Sequence, residues 1–386
     1  MPRPFGVYVH FPYCAHRCPY CDFAVTTRPV PGDGRYARAV LAELEARAGA
    51  FEPFQGRSLY LGGGTPSRWA TPEVAAVVDG VRRRCRLGPD AEVTIEANPE
   101  SCDRARLLAW REAGVNRVSI GVQSFDPGVL AQLGRRHDGE SAARAITTAA
   151  AVIPNVSVDL IQASRRSSVA IAAADAARAV ACGAVHVSAY GLTLDPEVMA
   201  EEVPLARAAR TGRLTFPGDD EALAQARAAR AALRRAGLRR YELSNFARPG
   251  FESRHNRLYW EGASYLGLGA GAAGCLRGAE GGVRWQNLRD AEAWLAAVEA
   301  GRLPTGEEDR FDATADRNER LMLGLRTVRG IPLALIDPSQ AGELVALRRR
   351  RLAVVRDGRL VLTSRGLDLQ SAVAERLFLR GGGASR

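Results

Sequence analysis

From residue 5 to about 190, short runs rich in β-branched and aromatic residues alternate with longer alanine-rich stretches of helical pattern. The short runs cover 5–11, 58–61, 92–96, 117–122, 156–161 and 185–190, and read as strands. The stretches between them, near 34–49, 72–85, 103–113, 139–152 and 168–182, read as helices, and Gly114 stops one just before the fourth strand. Strand and helix alternating in this way predict a parallel sheet with helices outside. The expected fold class is α/β, a partial (β/α)6 TIM-type barrel. In such a barrel chemistry sits at the C-terminal ends of the strands.

The residues after each predicted strand support that placement. The first strand runs into a cysteine loop, the second into Gly62-Gly63-Gly64-Thr65-Pro66 and the third into Glu96-Ala97-Asn98-Pro99-Glu100. The fourth ends in Gly121-Val122-Gln123-Ser124, the fifth carries Asp159 and the sixth ends at Tyr190. Beyond the barrel, 219–237 is helical and 241–246 is strand-like. The polar segment 302–310, which contains Pro304 and Gly306, reads as a linker. After it come two helical patterns, then two apolar runs flanking Asp357-Gly358, a strong hairpin signal, then a last helix near 366–378 and a loose Gly-Gly-Gly-Ala-Ser-Arg tail. Helices followed by a hairpin predict a small winged-helix-like α+β domain. The expected division is 1–240, 241–302 and 311–386.

Composition changes the picture little. The net charge is +10, yet there is no lysine, and all 53 basic residues are arginines spread along the chain. The runs Arg82-Arg83-Arg84, Arg234-Arg235 and 348–351 lie on helical patterns and read as solvated faces, so no nucleic-acid partner is expected. At 386 residues the chain is long enough for a barrel and a smaller domain. It has neither a signal-peptide pattern nor an apolar run near 20 residues. Of its seven cysteines, Cys85, Cys102, Cys182 and Cys275 are scattered without a disulfide-like framework. A cytoplasmic protein with reduced thiols is expected, touching membranes only peripherally.

The other three cysteines lie together in Cys14-Ala15-His16-Arg17-Cys18-Pro19-Tyr20-Cys21. A disulfide would leave one over. Zinc commonly takes four ligands in separated pairs, and His16, wedged between two cysteines, is poorly placed as the fourth. Iron–sulfur clusters are held by thiolates. Three on a four-iron cluster leave one iron open to a further ligand. This C-x3-C-x2-C loop, with an aromatic before its last cysteine, resembles the signature of the radical S-adenosylmethionine (SAM) enzymes.

The resemblance extends through Tyr8-Val9-His10-Phe11-Pro12-Tyr13-Cys14, the Gly63-Gly64-Thr65-Pro66 turn, Asn116-Arg117-Val118-Ser119-Ile120-Gly121-Val122-Gln123-Ser124-Phe125 and Leu133-Gly134-Arg135. Together these resemble the oxygen-independent coproporphyrinogen III oxidase family of radical SAM proteins along nearly the whole chain. The resemblance implies a [4Fe-4S] cluster on Cys14, Cys18 and Cys21. It implies SAM contacts from Tyr8, Tyr20, Gly63, Gly64, Thr65, Glu96, Gln123, Arg135 and Asp159.

Two marks resemble the haem-chaperone branch of that family rather than the oxidase. Phe23 stands where the oxidase has a further cysteine, and His255-Asn256-Arg257-Leu258-Tyr259-Trp260 matches an H-N-x-x-Y-W motif associated with haem. Read from its residues, His255 is either an axial iron ligand or a satisfied core or turn histidine. Asn256, Tyr259 and Trp260 belong to the expected haem site, with Tyr259 and Trp260 flanking the macrocycle. Arg248, Arg254 and Arg257 would then meet its propionates. The branch implies haem delivery to client haemoproteins, at the membrane surface among other places, and is compatible with a homodimer. It implies no coproporphyrinogen oxidase activity. The alternatives are that decarboxylation or another radical reaction on haem. Two departures stand out. Ala273-Gly274 replaces a His-Ser pair in a glycine-rich segment, and segment 162–168 replaces a Tyr-Gly-x-Pro-Gly turn after Asp159 with one bearing Arg165 and Arg166.

Overall fold

The computed structural model describes residues 3–199 and 201–379. It begins with β1 (Arg3–Phe11), α1 (Arg35–Ala48), β2 (Phe54–Gly63), α2 (Thr71–Arg84), β3 (Glu92–Ala97), α3 (Arg104–Glu112) and β4 (Arg117–Gln123). There follow α4 (Pro127–Gln132), α5 (Gly139–Ala150), β5 (Val156–Gln162), α6 (Val169–Ala181) and β6 (His186–Gly191). Strands β1 to β6 lie side by side in chain order, each parallel to the next. The predicted α/β partial barrel is what the chain forms. Valines and isoleucines on alternate positions, such as Val93, Ile95, Val118, Ile120, Val156 and Val158, are fully buried. Each is worth about 1.5–3 kcal/mol of transfer free energy. The positions between them carry the polar residues of the site.

After β6 come α7 (Pro196–Met199), α8 (Pro204–Arg210), α9 (Asp219–Arg235), β7 (Arg239–Arg240), β8 (Asn245–Ala247) and α10 (Arg254–Trp260). Strand β8 pairs antiparallel with β6 and carries β7 at that edge of the sheet. The chain then returns to the other side of β1, where β9 (Ser264–Leu268) adds in parallel. Strands β10 (Ala273–Arg277), β11 (Gly281–Asn287) and β12 (Thr305–Asp312) continue outward, with α11 (Ala291–Glu299) between the last two. Segment 302–310, expected as a linker, is therefore mostly strand. It carries no hydrophobic alternation because β12 is an edge strand with nearly every residue exposed. Its charges protect that edge.

The remainder is α12 (Ala313–Leu325), β13 (Ile331–Pro332), α13 (Ala341–Arg349), β14 (Ala353–Arg356), β15 (Arg359–Leu362), α14 (Ser364–Leu367) and α15 (Gln370–Arg376). Its three strands form a separate antiparallel sheet around a second core that includes Leu321, Ile331, Leu347 and Leu360. Asp357 and Gly358 both take positive φ, 49° and 69°, as the hairpin turn requires. The C-terminal tail, 381–386, lies outside the described residues. A buried Glu242 that pairs with Arg326, and Asp368 that pairs with Arg227 and Arg230, join this part to the barrel.

Candidate cluster and cofactor site

At the C-terminal ends of β1 to β6 lies a cavity of about 280 Å³. Cys14, Cys18 and Cys21 line it together with Tyr20, Gly63, Gly64, Thr65, Glu96, Gln123, Arg135 and Asp159. Residues up to 145 positions apart in sequence thus meet at one point in the fold, because alternate positions on parallel strands face the same side.

The cysteine loop is held from behind. His10 bonds the Ala24 carbonyl through Nε2 at 2.9 Å and the Tyr8 hydroxyl through Nδ1 at 3.0 Å. Tyr36 donates to the His10 carbonyl at 2.7 Å, and Arg289 donates to that of Asp22 at 2.8 Å. The turn between β9 and β10 packs beneath. A Cβ on Gly271 would stand 2.3 Å from that of Ala24, so a larger residue would displace the loop. Buried Glu43 anchors this turn, accepting from the Gly269 amide, Asn287, Trp294 and Arg47.

Donors already face the sulfurs. The Thr65 hydroxyl lies 3.4 Å from Cys14 Sγ, and Arg135 Nη1 lies 3.6 Å from Cys18 Sγ. Burial pushes the Cys14 thiol up, and pushes that of Cys21 up to about 11. The free thiols of Cys14 and Cys21 thus hold their protons, and metal binding would displace them. Among the described residues, no three His, Cys, Asp or Glu side chains gather around a point where one metal ion would sit. A polynuclear cluster asks for something else, one thiolate on each of three irons. His16 is spent elsewhere, its Nε2 on the Gly134 carbonyl at 3.0 Å.

The carboxylates form the opposite wall. Glu96 accepts from Tyr60 Oη at 2.8 Å and from the Gly63 amide at 3.0 Å. Desolvation, and then the neighbouring charge of Asp159, lift its carboxyl to about 7. Asp159 accepts from Ser119 Oγ at 3.3 Å and is also raised by burial. Arg135 crosses the floor, donating to Asn98 Oδ1 and to the Gly121 carbonyl, each at 2.7 Å. Gln123 sits at the bulge ending β4 with φ 68°, a strained value for a residue with a Cβ. Its Oε1, and Arg135 Nε, find no partner among the described residues. Unpaired buried groups facing a polar cavity are what a zwitterionic, hydroxylated ligand would satisfy. Gly64 lets the backbone close in, since a Cβ there would lie 2.9 Å from the Phe11 and Pro12 backbone. Tyr20 packs as a side wall against Val129, Leu133 and Ile161.

Three further residues of this wall, Asn98, Ser119 and Tyr190, stand in the strand-end and motif stretches of the sequence but carry no expected site role there. Their signal is parity: Ser119 and Tyr190 lie an even number of positions from Arg117 and His186 on their own strands, and Asn98 lies two positions beyond Glu96, just past the end of β3. One expected contact is absent from the wall. Tyr8 lies beneath the Gly62–Gly63 turn, its ring stacked 6.1 Å from Tyr60 and its hydroxyl on His10, so it supports the site without lining it.

The expected haem motif does not form one site. His255 lies at the other end of the barrel, on α10, where that helix packs on β1 and β2. The imidazole touches Gly6, and the five residues from there to Phe11 alone span roughly 16 Å. Both ring nitrogens are taken: Nδ1 by Ser58 Oγ at 2.8 Å, Nε2 by Tyr259 Oη at 3.3 Å. Burial, with Arg117 adding to it, lowers His255 to about 3, and only 2 % of the residue is exposed. His255 is here a satisfied core histidine, the second of the two readings that its sequence context allowed. Tyr259 serves this histidine and meets Tyr265 edge-on. Asn256 lies in the first turn of α10, its amide on the Ser253 capping hydroxyl. Trp260 alone turns away, into a separate cleft. Of the three arginines, Arg254 binds the Asp90 carbonyl, Arg248 is exposed, and Arg257 borders that cleft.

Comparison with known proteins agrees with the geometry. Residues 8–161 match the Radical SAM superfamily model. The fold resembles that of coproporphyrinogen III oxidase HemN from Escherichia coli, with a TM-score of 0.78 over 97 % of this chain and 90 % of that one, at 19 % identity. The heme chaperone HemW of Mycobacterium tuberculosis is 38 % identical over 387 residues, 97 % of this chain and 95 % of its own. The Escherichia coli heme chaperone HemW is 35 % identical over 70 % of each chain. The bovine mitochondrial radical S-adenosyl methionine domain-containing protein 1 is 36 % identical over 84 % of this chain and 74 % of its own. Radical SAM membership implies SAM and a [4Fe-4S] cluster, and the thiols, sulfur donors and unpaired polar groups of the barrel mouth fit both. By sequence over nearly its full length, this chain belongs to the HemW family of radical SAM proteins.

Proposed function

We propose that this protein is a haem chaperone, which binds haem and delivers it to client haemoproteins while carrying a SAM-liganded [4Fe-4S] cluster. The observation that carries this reading is the similarity to heme chaperones along nearly the whole chain. The likeness to the oxidase, at 19 % identity, speaks for the fold alone.

Cys14, Cys18 and Cys21 would hold three irons and leave the fourth for the amino and carboxylate groups of SAM. When bound, such a cluster supplies an electron that can break the SAM sulfonium. The chain's own part is to orient and to exclude water. Thr65 and Arg135 stabilise thiolate charge, Glu96 and Asp159 take cationic and hydroxyl groups of SAM, and Tyr20 walls the adenine. Phe23, 58 % exposed at the cavity rim, leaves no thiol at the position where the oxidase carries one. No helix of the described residues is long and apolar enough to cross a membrane. We place the protein in the cytoplasm, with any membrane contact peripheral.

Anaerobic incubation of the cluster-loaded protein with coproporphyrinogen III, SAM and a reductant tests the reading. It predicts no protoporphyrinogen. Formation of that product at catalytic rates would make the protein an oxidase instead.

A further inference from the structure

A second cavity, of about 960 Å³, lies away from the barrel mouth. It lies between the C-terminal end of α10 and the second core, with the β14–β15 hairpin on its far side. Cofactor-sized ligands occupy cavities of roughly 300–1,000 Å³. The mouth, at about 280 Å³, falls just below that range and must already serve SAM, whereas the cleft, at about 960 Å³, lies near its top.

Its lining combines three chemistries. Trp260 forms an aromatic wall, backed by the Arg326 guanidinium 4.0 Å from the ring centroid. The indole Nε1 is buried without a partner among the described residues. Ile331, Pro332, Leu335 and Val361 supply apolar surface. Arg257, Arg320, Arg329, Arg356 and Arg359 face Glu252, Glu261 and Asp357, so five positive charges meet three negative ones. Several of the pairs are loose. Arg356 and Asp357 are 3.7 Å apart with both side chains more than 80 % exposed, and such a pair holds its geometry weakly. The complementary ligand is flat, largely apolar and doubly anionic. A tetrapyrrole with two propionates has that form, and bidentate arginine–carboxylate bonds suit its edge.

The lining holds no His, Cys or Met. Its tyrosine, Tyr241, already has its hydroxyl on His186 Nε2 at 2.8 Å. The usual axial haem ligands, His, Cys, Met or a free Tyr hydroxyl, are therefore missing from the cleft lining. We infer that this cleft is the tetrapyrrole site, and that it recognises the macrocycle face and the propionates rather than the metal. The inference rests on the haem-chaperone reading and gives that function a site distinct from both the cluster and His255.

The test uses the full chain with its cluster intact. Haem and iron-free protoporphyrin are each titrated in, followed by Soret shift and tryptophan quenching. The two should bind with affinities within roughly threefold of each other. The double charge reversal Arg329→Glu/Arg356→Glu, at side chains 64 % and 81 % exposed and so harmless to folding, should weaken both by roughly tenfold or more. Trp260→Leu should weaken both as well, with cluster absorbance unchanged. Iron-free protoporphyrin binding more than roughly tenfold weaker than haem would overturn the metal-independent site. Unchanged affinity in the charge-reversal variant, with wild-type binding intact, would overturn the cleft and leave the haem reading standing. Failure of the wild type to bind either tetrapyrrole would remove both.

Discussion

The Tyr60 hydroxyl donates to Glu96 at 2.8 Å, while its ring tilts over the imidazole of His255 at 5.1 Å between centroids. One side chain thus joins the carboxylate at the cofactor cavity to the histidine at the opposite end of the barrel. His255, expected as an iron ligand, is part of the packing that holds Tyr60, and hence Glu96, in place.

That relationship sets a pH dependence for SAM. Glu96 titrates near 7 in the SAM-free protein, so it is mostly protonated below that pH. A cationic ligand beside it favours the ionised form. SAM affinity should therefore rise as pH rises through about 7, with proton release on binding. The raised pKa also means that the SAM-free fold loses stability as pH rises from the ordinary carboxylate value of 4.5 to about 7, and levels off above it, since the neutral form is the favoured one in the fold. In Glu96→Gln this part of the pH profile should flatten. In Tyr60→Phe its midpoint should move upward, because the lost hydrogen bond had favoured the carboxylate. Calorimetry across pH 6–8 would read both, and identical profiles in wild type and Glu96→Gln would contradict the assignment.

Replacing His255 should cost stability, not tetrapyrrole affinity. His255→Ala strands the Ser58 and Tyr259 hydroxyls and opens a cavity, a loss of about 2–4 kcal/mol in chemical unfolding. Its folded pKa is about 3, below the ordinary histidine value, so it contributes stability above pH 6.5 that declines as pH falls toward 3. His255→Gln should lessen the acid sensitivity. Haem titration of the folded variants should match wild type, and loss of binding at preserved fold would restore the ligand role.

On the proposed assignment the cluster depends on three cysteines and is tuned by two donors. Serine at Cys14, Cys18 or Cys21 should each abolish the cluster's visible absorbance, whereas Cys85→Ser, at a buried thiol remote from the site, should leave it. Arg135→Gln, which removes a cation from beside Cys18, should keep the cluster and shift its potential negative by tens of millivolts. An unshifted potential in voltammetry would show that the contact does not act on the sulfur.

Segment 162–168 keeps a turn whose glycine is gone. Ala163 takes φ 57°, a left-handed value that L-residues with a Cβ disfavour by about 1–2 kcal/mol. Gln225 holds the loop there through the Ala163 amide at 2.9 Å and Ser167 Oγ at 2.7 Å. Ala163→Gly relieves that strain but frees the unfolded chain, leaving a net gain of about 0.5–1 kcal/mol in thermal or urea unfolding. A net loss would mean that the local strain is smaller than the torsion implies.

The barrel was legible because its strands are buried on both sides, so apolar runs, turns and polar strand ends all agree along 5–190. The cysteine loop and the positions of Glu96 and Asp159 followed from the same order. What the pattern could not carry was partnership. His255 and Trp260 lie five residues apart in one motif, yet Ser58, 197 positions away, claims one and the C-terminal part of the chain frames the other. Likewise β12 carries no alternation because an edge strand in solvent needs none.

The most direct test of the account is haem transfer. Cluster-bearing protein is loaded with one equivalent of haem and mixed anaerobically with an excess of an apo-haemoprotein, with and without SAM. The account predicts that the Soret spectrum of the client appears as that of the donor falls, with no loss of total haem and no porphyrin product. Haem that stays on the donor, or is consumed when SAM and reductant are present, would contradict it.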